Sequence, residues 1–287
     1  MASDGRPDRR GGLARWAALP AIAVTLALFV APLGVMAAHS LWARDGGATV
    51  ASWSLANYRE FLGNEALLAA LANSLEVTLL VTALSVIVAY PIAWVLAYRV
   101  PRRLQRLALV LAVLPFWTSY VIRSYSWLLV LSENGVINQV LLGLGVIDAP
   151  VGMGNTRGAT VLGFVHFFVM LLTLTTFASL VQIKESYRMA AADLGASPLQ
   201  VFLRITLPLS LPGVAVGAFL TFVLAIGDYV TPQILGGGRE LLLPQAIMLQ
   251  VARRADFPLA SAMSVVLMLV VTAAYLAFAK RLRMDRV

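Results

Sequence analysis

Six long apolar runs dominate this sequence and restrict it to one class of fold. They cover approximately residues 16–38, 73–98, 105–131, 158–182, 212–235 and 259–279. Each run approaches or exceeds the ~20 residues that an α-helix needs to cross the ~30 Å hydrocarbon core of a bilayer. Hydrophobic residues form 60% of the chain and charged residues only 13%, whereas a soluble domain carries about 25% charged residues. The sequence therefore predicts an all-α integral membrane protein with six transmembrane helices.

The first apolar run has a second interpretation, a cleavable signal peptide with Ala37-Ala38 near the cleavage site. The run is longer than the apolar core of a signal peptide, which has about 7–15 residues, and this favours a transmembrane helix. We therefore expect a cytoplasmic N-terminal segment at residues 1–15, one transmembrane domain at residues 16–279 and a cytoplasmic tail at residues 280–287. No appended soluble domain is predicted.

The distribution of positive charge predicts the orientation of the helices. Fifteen of the 22 Lys and Arg residues lie in the N-terminal segment, the tail, and two loops at residues 99–106 and 184–204. Because cytoplasmic loops carry an excess of Lys and Arg, both termini and these two loops are expected to face the cytoplasm. The net charge of +8 then reflects topology and attraction to anionic lipid rather than nucleic-acid binding.

The sequence contains few of the motifs that support catalysis or bind a cofactor. Its two lysines, Lys184 and Lys280, do not follow glycine, so the Gly-Lys-Ser/Thr of a phosphate-binding P-loop is missing. The two histidines, His39 and His166, have no acidic cluster or HExxH motif beside them. We therefore predict no catalytic residues, no metal, no cofactor and no enzymatic activity. His166 is expected to be a hydrogen-bonded interior residue, and any ATP-driven function would need a separate ATPase polypeptide.

Three ionisable residues lie within the predicted spans, where burial of charge in hydrocarbon is costly and points to function. Glu76 lies near one end of the second span and is expected to extend to the interface. Arg123 is expected to form a structural ion pair with Asp228 or Glu76. Asp228 has the strongest functional case, because Gly227 and Pro232 on either side of it loosen the helix.

Aromatic residues accumulate at a similar depth in the third run. Trp117, Tyr120, Ser124 and Trp127 recur at helical spacing, which places them on one face of a single helix. An aromatic belt at the membrane interface is one explanation. The other is a path for an organic cation, attracted by the rings and by Asp228. Arg123 would repel such a cation unless it is paired or turned away.

The segment between the fourth and fifth runs, residues 184–211, is predicted to form two short helices around a hinge. Gly195 stands where a left-handed C′ residue would stop the first helix. Ser197-Pro198 followed by Gln200 is typical of a capping box with proline at the first helical position. Pro208 and Pro212 are expected to end the second helix. Without further information this would be a cytoplasmic loop with an amphipathic helix.

The spacing within this segment resembles the EAA loop of bacterial ABC importer permeases, which runs E-A-A, three residues, G, nine residues, I-x-L-P. The matching residues are Ala190, Ala191, Gly195, Ile205, Leu207 and Pro208. The resemblance implies a coupling helix that docks on a cytoplasmic ATPase through Ala190, Ala191, Asp193, Gly195 and Ala196. Met189 stands where the family has glutamate, and Glu185 lies one turn earlier.

Further stretches resemble the permeases of spermidine/putrescine ABC importers, in particular the first of the two permeases in such systems. They are Ser54–Tyr58, Asn73–Leu75, Pro115–Arg123, Gly227–Pro232 and Leu235–Gly238. The resemblance implies a type I ABC importer permease fold in a bacterial inner membrane. The implied partners are a second permease in a heterodimer, a dimer of ATP-binding subunits and an external solute-binding protein.

The same resemblance implies a substrate pathway lined by Trp117, Tyr120, Asp228 and Tyr229, which would carry a polyamine such as spermidine or putrescine. Similar permeases import opines, iron or phosphonates, so these solutes remain alternatives. A different class, an ion-coupled secondary transporter with Asp228 as its carrier, is also open. The docking motif favours the ABC importer, because a secondary transporter needs no ATPase contact.

Overall fold

The computed structural model describes residues 19–45, 47–238 and 240–284. The predicted N-terminal segment, residues 1–15, lies outside the described residues. The chain forms two compact units. One contains residues 19–63 and 250–266, and the other contains residues 64–249 and 267–284.

Helices form nearly all of the regular structure in the described part of the chain. They are α1 (Leu19–His39), α2 (Ala56–Gly63), α3 (Glu65–Tyr98), α4 (Arg102–Val113, continued by a 3-10 turn at Leu114–Trp117), α5 (Tyr120–Val130), α6 (Val136–Gly143), α7 (Arg157–Leu180), α8 (Glu185–Asp193), α9 (Pro198–Ile226), α10 (Val230–Leu235), α11 (Leu243–Leu249) and α12 (Phe257–Met284). Strands β1 (Ala43–Asp45) and β2 (Ala48–Val50) pair antiparallel, with Ala43 opposite Val50.

Five of these helices are long and apolar enough to cross a membrane: α1, α3, α7, α9 and α12 over Phe257–Ala279. The pair α4 and α5 supplies a sixth span if it is counted as one bent crossing. The six predicted runs are therefore matched, but α3 begins at Glu65 rather than near residue 73. Asn64 explains the earlier start, because its Oδ1 accepts hydrogen bonds from Ala66 N–H at 3.0 Å and Leu67 N–H at 3.3 Å.

In the first unit, the short helix α2 is hydrogen-bonded to the segment that follows α1. Asn57 is buried, and its Nδ2 donates to Ser40 O at 2.8 Å and Trp42 O at 2.7 Å. The hydroxyls of Tyr58 and Ser40 are hydrogen-bonded at 2.7 Å. The backbone carbonyls of Ser40 and Trp42, just after α1, thus receive hydrogen bonds from a side chain of α2.

The core of the second unit lies among α3, α7 and α9. Its buried members are Val77, Val81, Phe164, Phe168, Ala225 and Leu242. Two glycines let α9 approach α7 closely. A Cβ at Gly213 would lie 2.7 Å from Thr175 O, and a Cβ at Gly217 would lie 2.8 Å from Leu172 Cδ2. This G-x-x-x-G spacing on one helix face permits close backbone contact between membrane helices.

Candidate functional site

The third apolar run is not one straight helix, and this corrects the predicted aromatic face. The 3-10 turn ends at Trp117 and α5 begins at Tyr120, with an angle of 87° between the two segments. Thr118 and Ser119 have extended backbones, with ψ of 149° and 133°. Helical spacing therefore does not continue across the break, and Trp117 is not on the face of Tyr120. Its side chain is 80% exposed.

Trp127 also has a defined partner on the other side of the break. Its indole Nε1 donates to His166 Nδ1 at 2.9 Å, and the two rings meet edge to face. This contact confirms that His166 is a hydrogen-bonded interior residue. It also attaches Trp127 to α7.

The break in the third run places Tyr120 beside Asp228, as the proposed grouping of a ring and a carboxylate requires. The Tyr120 hydroxyl donates to Asp228 Oδ2 and also contacts Thr231 Oγ1. Thr231 donates to the same carboxylate oxygen at 2.8 Å. Two hydroxyls therefore converge on one oxygen of a half-buried carboxylate. Hydrogen bonds to a carboxylate are stronger than those between neutral groups.

Asp228 also has a local structural role that the sequence analysis did not include. Helix α9 ends at Ile226, and α10 begins at Val230. Asp228 lies between them, and its Oδ1 accepts a hydrogen bond from Val230 N–H at 2.8 Å. An aspartate that binds the N–H two residues on is a common way to begin a helix. The predicted loosening of the helix around Gly227 is confirmed as a complete interruption.

Thr231 was missed by the sequence analysis, although its spacing gave a usable signal. It lies three residues after Asp228, where a hydroxyl meets a preceding carboxylate on the first turn of a helix. The neighbouring Tyr229 is 41% exposed, and Thr231 is buried. Of the four predicted pathway residues, the structure joins Tyr120 and Asp228 directly. The other two, Trp117 and Tyr229, are exposed and lie close in the sequence to Tyr120 and Asp228, respectively.

The prediction that Arg123 pairs with Asp228 or Glu76 is wrong. Among the residues that the structure describes, Arg123 forms no ion pair, and its Nη2 donates to Thr118 O at 3.0 Å. Its Cζ lies 5.1 Å from the centroid of the Phe167 ring, within the range of a cation–π contact. Arg123 is therefore turned toward the helix break and Phe167.

Glu76 has a different partner from those predicted. Its carboxylate lies 2.8 Å from Nη2 of Arg157, the first residue of α7. The other terminal nitrogen of Arg157 lies 3.4 Å from Glu240. The Glu76 side chain is 67% exposed.

The second candidate site is the segment at residues 184–211, named here the coupling segment. Helix α8 ends in a Schellman motif, with Ala196 N–H bonded to Ala191 O at 3.0 Å and Gly195 N–H to Ala192 O at 2.9 Å. Gly195 has a φ of +84°, as its predicted C′ position requires. The predicted capping box is also present, since Ser197 and Gln200 exchange hydrogen bonds.

One prediction for the coupling segment is wrong, because Pro208 and Pro212 do not end its second helix. The helix that starts at Pro198 continues to Ile226 without a break. A π-helical turn at Phe202–Thr206 precedes the prolines, and Leu207 N–H bonds to Phe202 O. The wider turn accommodates a residue that lacks an N–H, as π-bulges commonly do. The coupling segment is thus continuous with the fifth span.

Helix α8 and the residue after it expose several large apolar side chains. Tyr187 and Met189 are 50% and 55% exposed, and Leu194 just after the helix is 89% exposed. An open groove of about 440 Å³ lies between α8 and the start of α9. It is lined by Tyr187, Ala190, Ala191, Leu194, Arg204, Ile205, Pro208 and Leu209. An exposed apolar surface next to a groove is typical of a site that another protein covers.

The fold is that of a membrane subunit of an ABC importer. A bacterial ABC transporter involved in the import of the acidic polysaccharide alginate superposes with a TM-score of 0.74 at 17% identity, over 95% of this chain and 96% of that one. The MetNI methionine ABC transporter superposes with a TM-score of 0.58 at 18% identity, over 76% of this chain and 95% of that one. These matches identify the type I ABC importer permease fold.

Sequence comparison then identifies the family. Residues 89–284 match the family described as "Binding-protein-dependent transport system inner membrane component", and this chain belongs to that family. The spermidine/putrescine transport system permease protein PotB of Escherichia coli K12 is 32% identical over 247 residues, 86% of this chain and 89% of that protein. The inner membrane ABC transporter permease protein YdcU of the same organism is 33% identical over 240 residues, 80% of this chain and 76% of YdcU.

Proposed function

We propose that this chain forms one half of the translocation pathway of an ABC importer for a small organic cation of the polyamine type. The similarity to PotB along 86% of the chain supports this substrate class. The observation that carries the proposal is the half-buried carboxylate of Asp228 beside the Tyr120 ring, at an interruption of two apolar helices. A carboxylate next to an aromatic ring attracts an alkylammonium group through charge and cation–π contact.

The carboxylate has capacity left for a ligand. Oδ2 accepts from two hydroxyls, but Oδ1 accepts one hydrogen bond, from Val230 N–H. An ionised carboxylate offers about four lone-pair sites. Arg123 does not occupy this capacity, because its guanidinium bonds to Thr118 O and faces Phe167. An incoming ammonium group would therefore meet a carboxylate that is not ion-paired with Arg123. Trp117 and Tyr229, both exposed, supply further aromatic surface for the pathway.

The coupling segment supports a role for a cytoplasmic ATPase as the energy source. The proposed docking surface is Ala190, Ala191, Asp193, Gly195 and Ala196, flanked by the exposed apolar side chains Tyr187, Met189 and Leu194. Small residues permit close approach of a partner, and the apolar flank gains free energy when water is removed. Met189 replaces the family's glutamate with an apolar side chain, so this contact would depend more on burial than on charge.

The complete transporter in this proposal has four kinds of subunit. This permease pairs with a second permease as a heterodimer, a dimer of ATP-binding subunits docks on the coupling segment, and an external solute-binding protein delivers the substrate. ATP hydrolysis belongs to the separate subunits, and this chain is not an enzyme. Both of its termini face the cytoplasm of a bacterial cell, because that orientation places the Arg- and Lys-rich loops inside.

The test is transport by the reconstituted complex in proteoliposomes. Spermidine-loaded binding protein should stimulate both ATP hydrolysis and uptake of labelled spermidine. Putrescine should compete, whereas an opine, ferric iron and a phosphonate should not. Uptake of one of those three solutes without uptake of either polyamine would contradict the substrate class and retain the ABC importer. Uptake driven by an ion gradient without ATP would contradict the energy source.

A further inference from the structure

Three aromatic residues near the C-terminal end of α3 form a ladder that the proposed pathway does not use. Tyr90, Trp94 and Tyr98 recur every four residues, so they lie on one face of the helix. The Tyr90 hydroxyl is hydrogen-bonded to Ser210 Oγ at 2.9 Å, and its ring meets Phe202 edge to face at 5.8 Å. The ladder is therefore in contact with the helix that emerges from the coupling segment.

The last ring of the ladder is in contact with α8 itself. The Arg188 guanidinium carbon lies 4.2 Å from the centroid of the Tyr98 ring, well inside the ~6 Å range of a cation–π interaction. Arg188 is half-buried, while its apolar neighbours Tyr187 and Met189 are exposed. The one arginine of α8 thus faces inward, toward α3, and not toward the solvent.

Tyr98 is held from a second side as well. Its hydroxyl donates to Leu180 O, at the C-terminal end of α7, at 3.0 Å. The ring is therefore fixed between the last turn of α7 and the guanidinium of α8. A displacement of α8 would be passed to Tyr98, and through Tyr98 to the end of α3.

Helix α3 contains a point at which such a displacement would be absorbed at low cost. Pro91 lies inside the helix, one residue after Tyr90. Proline has no N–H, so the helix lacks one hydrogen bond there and bends more readily. On the N-terminal side of Pro91, Val77 and Val81 hold α3 in the core. A bend at Pro91 would move the buried residues Ala93 and Leu96 together with Tyr98.

We propose that the Arg188–Tyr98 contact transmits movement of the coupling segment to the C-terminal end of α3, with Pro91 as the bending point. Arg188 and Tyr98 are positioning residues, since neither lies at the proposed pathway residues. The inference rests on the proposed function, because it requires that an ATPase moves α8. It adds a specific mechanical connection between α8 and one transmembrane helix.

The experiment measures how far spermidine-loaded binding protein stimulates ATP hydrolysis by the reconstituted complex. Arg188→Gln removes the positive charge and should reduce the stimulation by about fivefold, while the ATPase subunits still copurify with the permease. Arg188→Lys keeps a cation and should restore most of the stimulation. The matched control is Arg99→Gln, because Arg99 also lies over an aromatic ring of α3, Trp94, at 5.5 Å, but follows the end of α3 and does not belong to α8. It should behave like the wild type.

Variants of Tyr98 distinguish the contribution of its ring from that of its hydroxyl. Tyr98→Phe keeps the ring for Arg188 and loses the hydrogen bond to Leu180, so stimulation should be largely retained. Tyr98→Leu should lower the stimulation of ATP hydrolysis as much as Arg188→Gln does. The double variant Tyr98→Leu with Arg188→Gln should lower this stimulation no further. A smaller effect of Tyr98→Leu than of Tyr98→Phe would overturn the inference. The inference would also be overturned if the Arg188→Gln complex showed wild-type stimulation, or if this variant did not retain the ATPase subunits. By contrast, a wild-type complex with no stimulation would refute the proposed function itself.

Discussion

The Tyr120 hydroxyl donates a hydrogen bond to Asp228 Oδ2 and so joins two helices at the points where each is interrupted. Tyr120 is the first residue of α5, and Asp228 lies two residues before the first residue of α10. Both side chains therefore lie at helix ends, where some backbone N–H and C=O groups have no hydrogen-bond partner within the helix. The same contact stabilises the fold and presents a carboxylate to the proposed pathway.

Replacement of Asp228 by asparagine should separate these two roles. Asparagine keeps one carbonyl oxygen, which can accept from Val230 N–H, and removes the negative charge. Its NH2 group takes the place of Oδ2 and donates to the Tyr120 and Thr231 hydroxyls, which then act as acceptors. We expect spermidine uptake to fall by about tenfold or more, which corresponds to ~1.4 kcal/mol or more of lost attraction. The permease should still copurify with its ATPase. Glu133→Gln, at an exposed site, is the control for the loss of one carboxylate.

The double variant Asp228→Asn with Arg123→Gln tests the ion-pair alternative. Because Arg123 bonds to Thr118 O and not to Asp228, the second substitution should not restore transport. Recovery of transport in the double variant would show that the two charges balance each other, and Asp228 would then be a structural residue.

Removal of the Tyr120 hydroxyl should destabilise the permease. Tyr120→Phe leaves one donor fewer for a half-buried carboxylate, which costs about 1–3 kcal/mol when a hydrogen bond to a charged group is lost. Thermal unfolding of the purified complex should occur at a lower temperature than for the wild type. Tyr125→Phe is the matched control, because the Tyr125 side chain is 53% exposed. Equal unfolding temperatures for the two variants would contradict the Tyr120–Asp228 contact.

The positive φ of Gly195 predicts a graded series of substitutions. A non-glycine residue in the left-handed region costs about 1–2 kcal/mol, and asparagine tolerates this region best. A Cβ at this position meets no atom of the chain within 4 Å. Gly195→Ala should therefore lose part of the stimulated ATP hydrolysis through backbone strain alone. Gly195→Asn has less backbone strain but adds a side chain about as large as that of leucine, so it should lose more than Gly195→Ala. Gly195→Leu should abolish it, because a bulky side chain adds a clash with the docked partner.

The insertion of Gly195→Leu into the membrane provides the control for that series. Insertion should be normal, since the position lies outside the packed core of the second unit. Undiminished stimulation in the purified Gly195→Leu complex would exclude this surface as the docking site.

The close approach of α7 and α9 predicts that small changes at Gly217 are costly. A Cβ there would lie within 3.0 Å of Leu172 and overlap the Thr175 side chain. Overpacking of this kind typically costs about 1–3 kcal/mol, so Gly217→Ala should lower the unfolding temperature of the complex. Gly152→Ala meets nothing within 4 Å and should be neutral. A neutral Gly217→Ala would contradict the helix packing described for the second unit.

The sequence by itself determined the features that depend on neighbouring residues. Apolar runs of sufficient length predicted the spans, because a chain in hydrocarbon must satisfy its own backbone hydrogen bonds. The stop at Gly195 and the restart at Ser197 were predictable, since a Schellman motif and a capping box are formed by residues a few positions apart. The spacing from Ala190 to Pro208 carried the family resemblance for the same reason.

The tertiary structure decided the relationships between residues that are far apart in the sequence. The interruption at Thr118 changed the orientation of Trp117, and helical periodicity gave no sign of it. The sequence singled out Asp228, but its partner Tyr120 is 108 positions away, and Arg123 was wrongly assigned to it. Arg188 was read as one more cytoplasmic cation, whereas it lies over the Tyr98 ring. Such contacts depend on how helices are placed against each other, because a side chain selects its partner from all groups within reach, which local sequence does not specify.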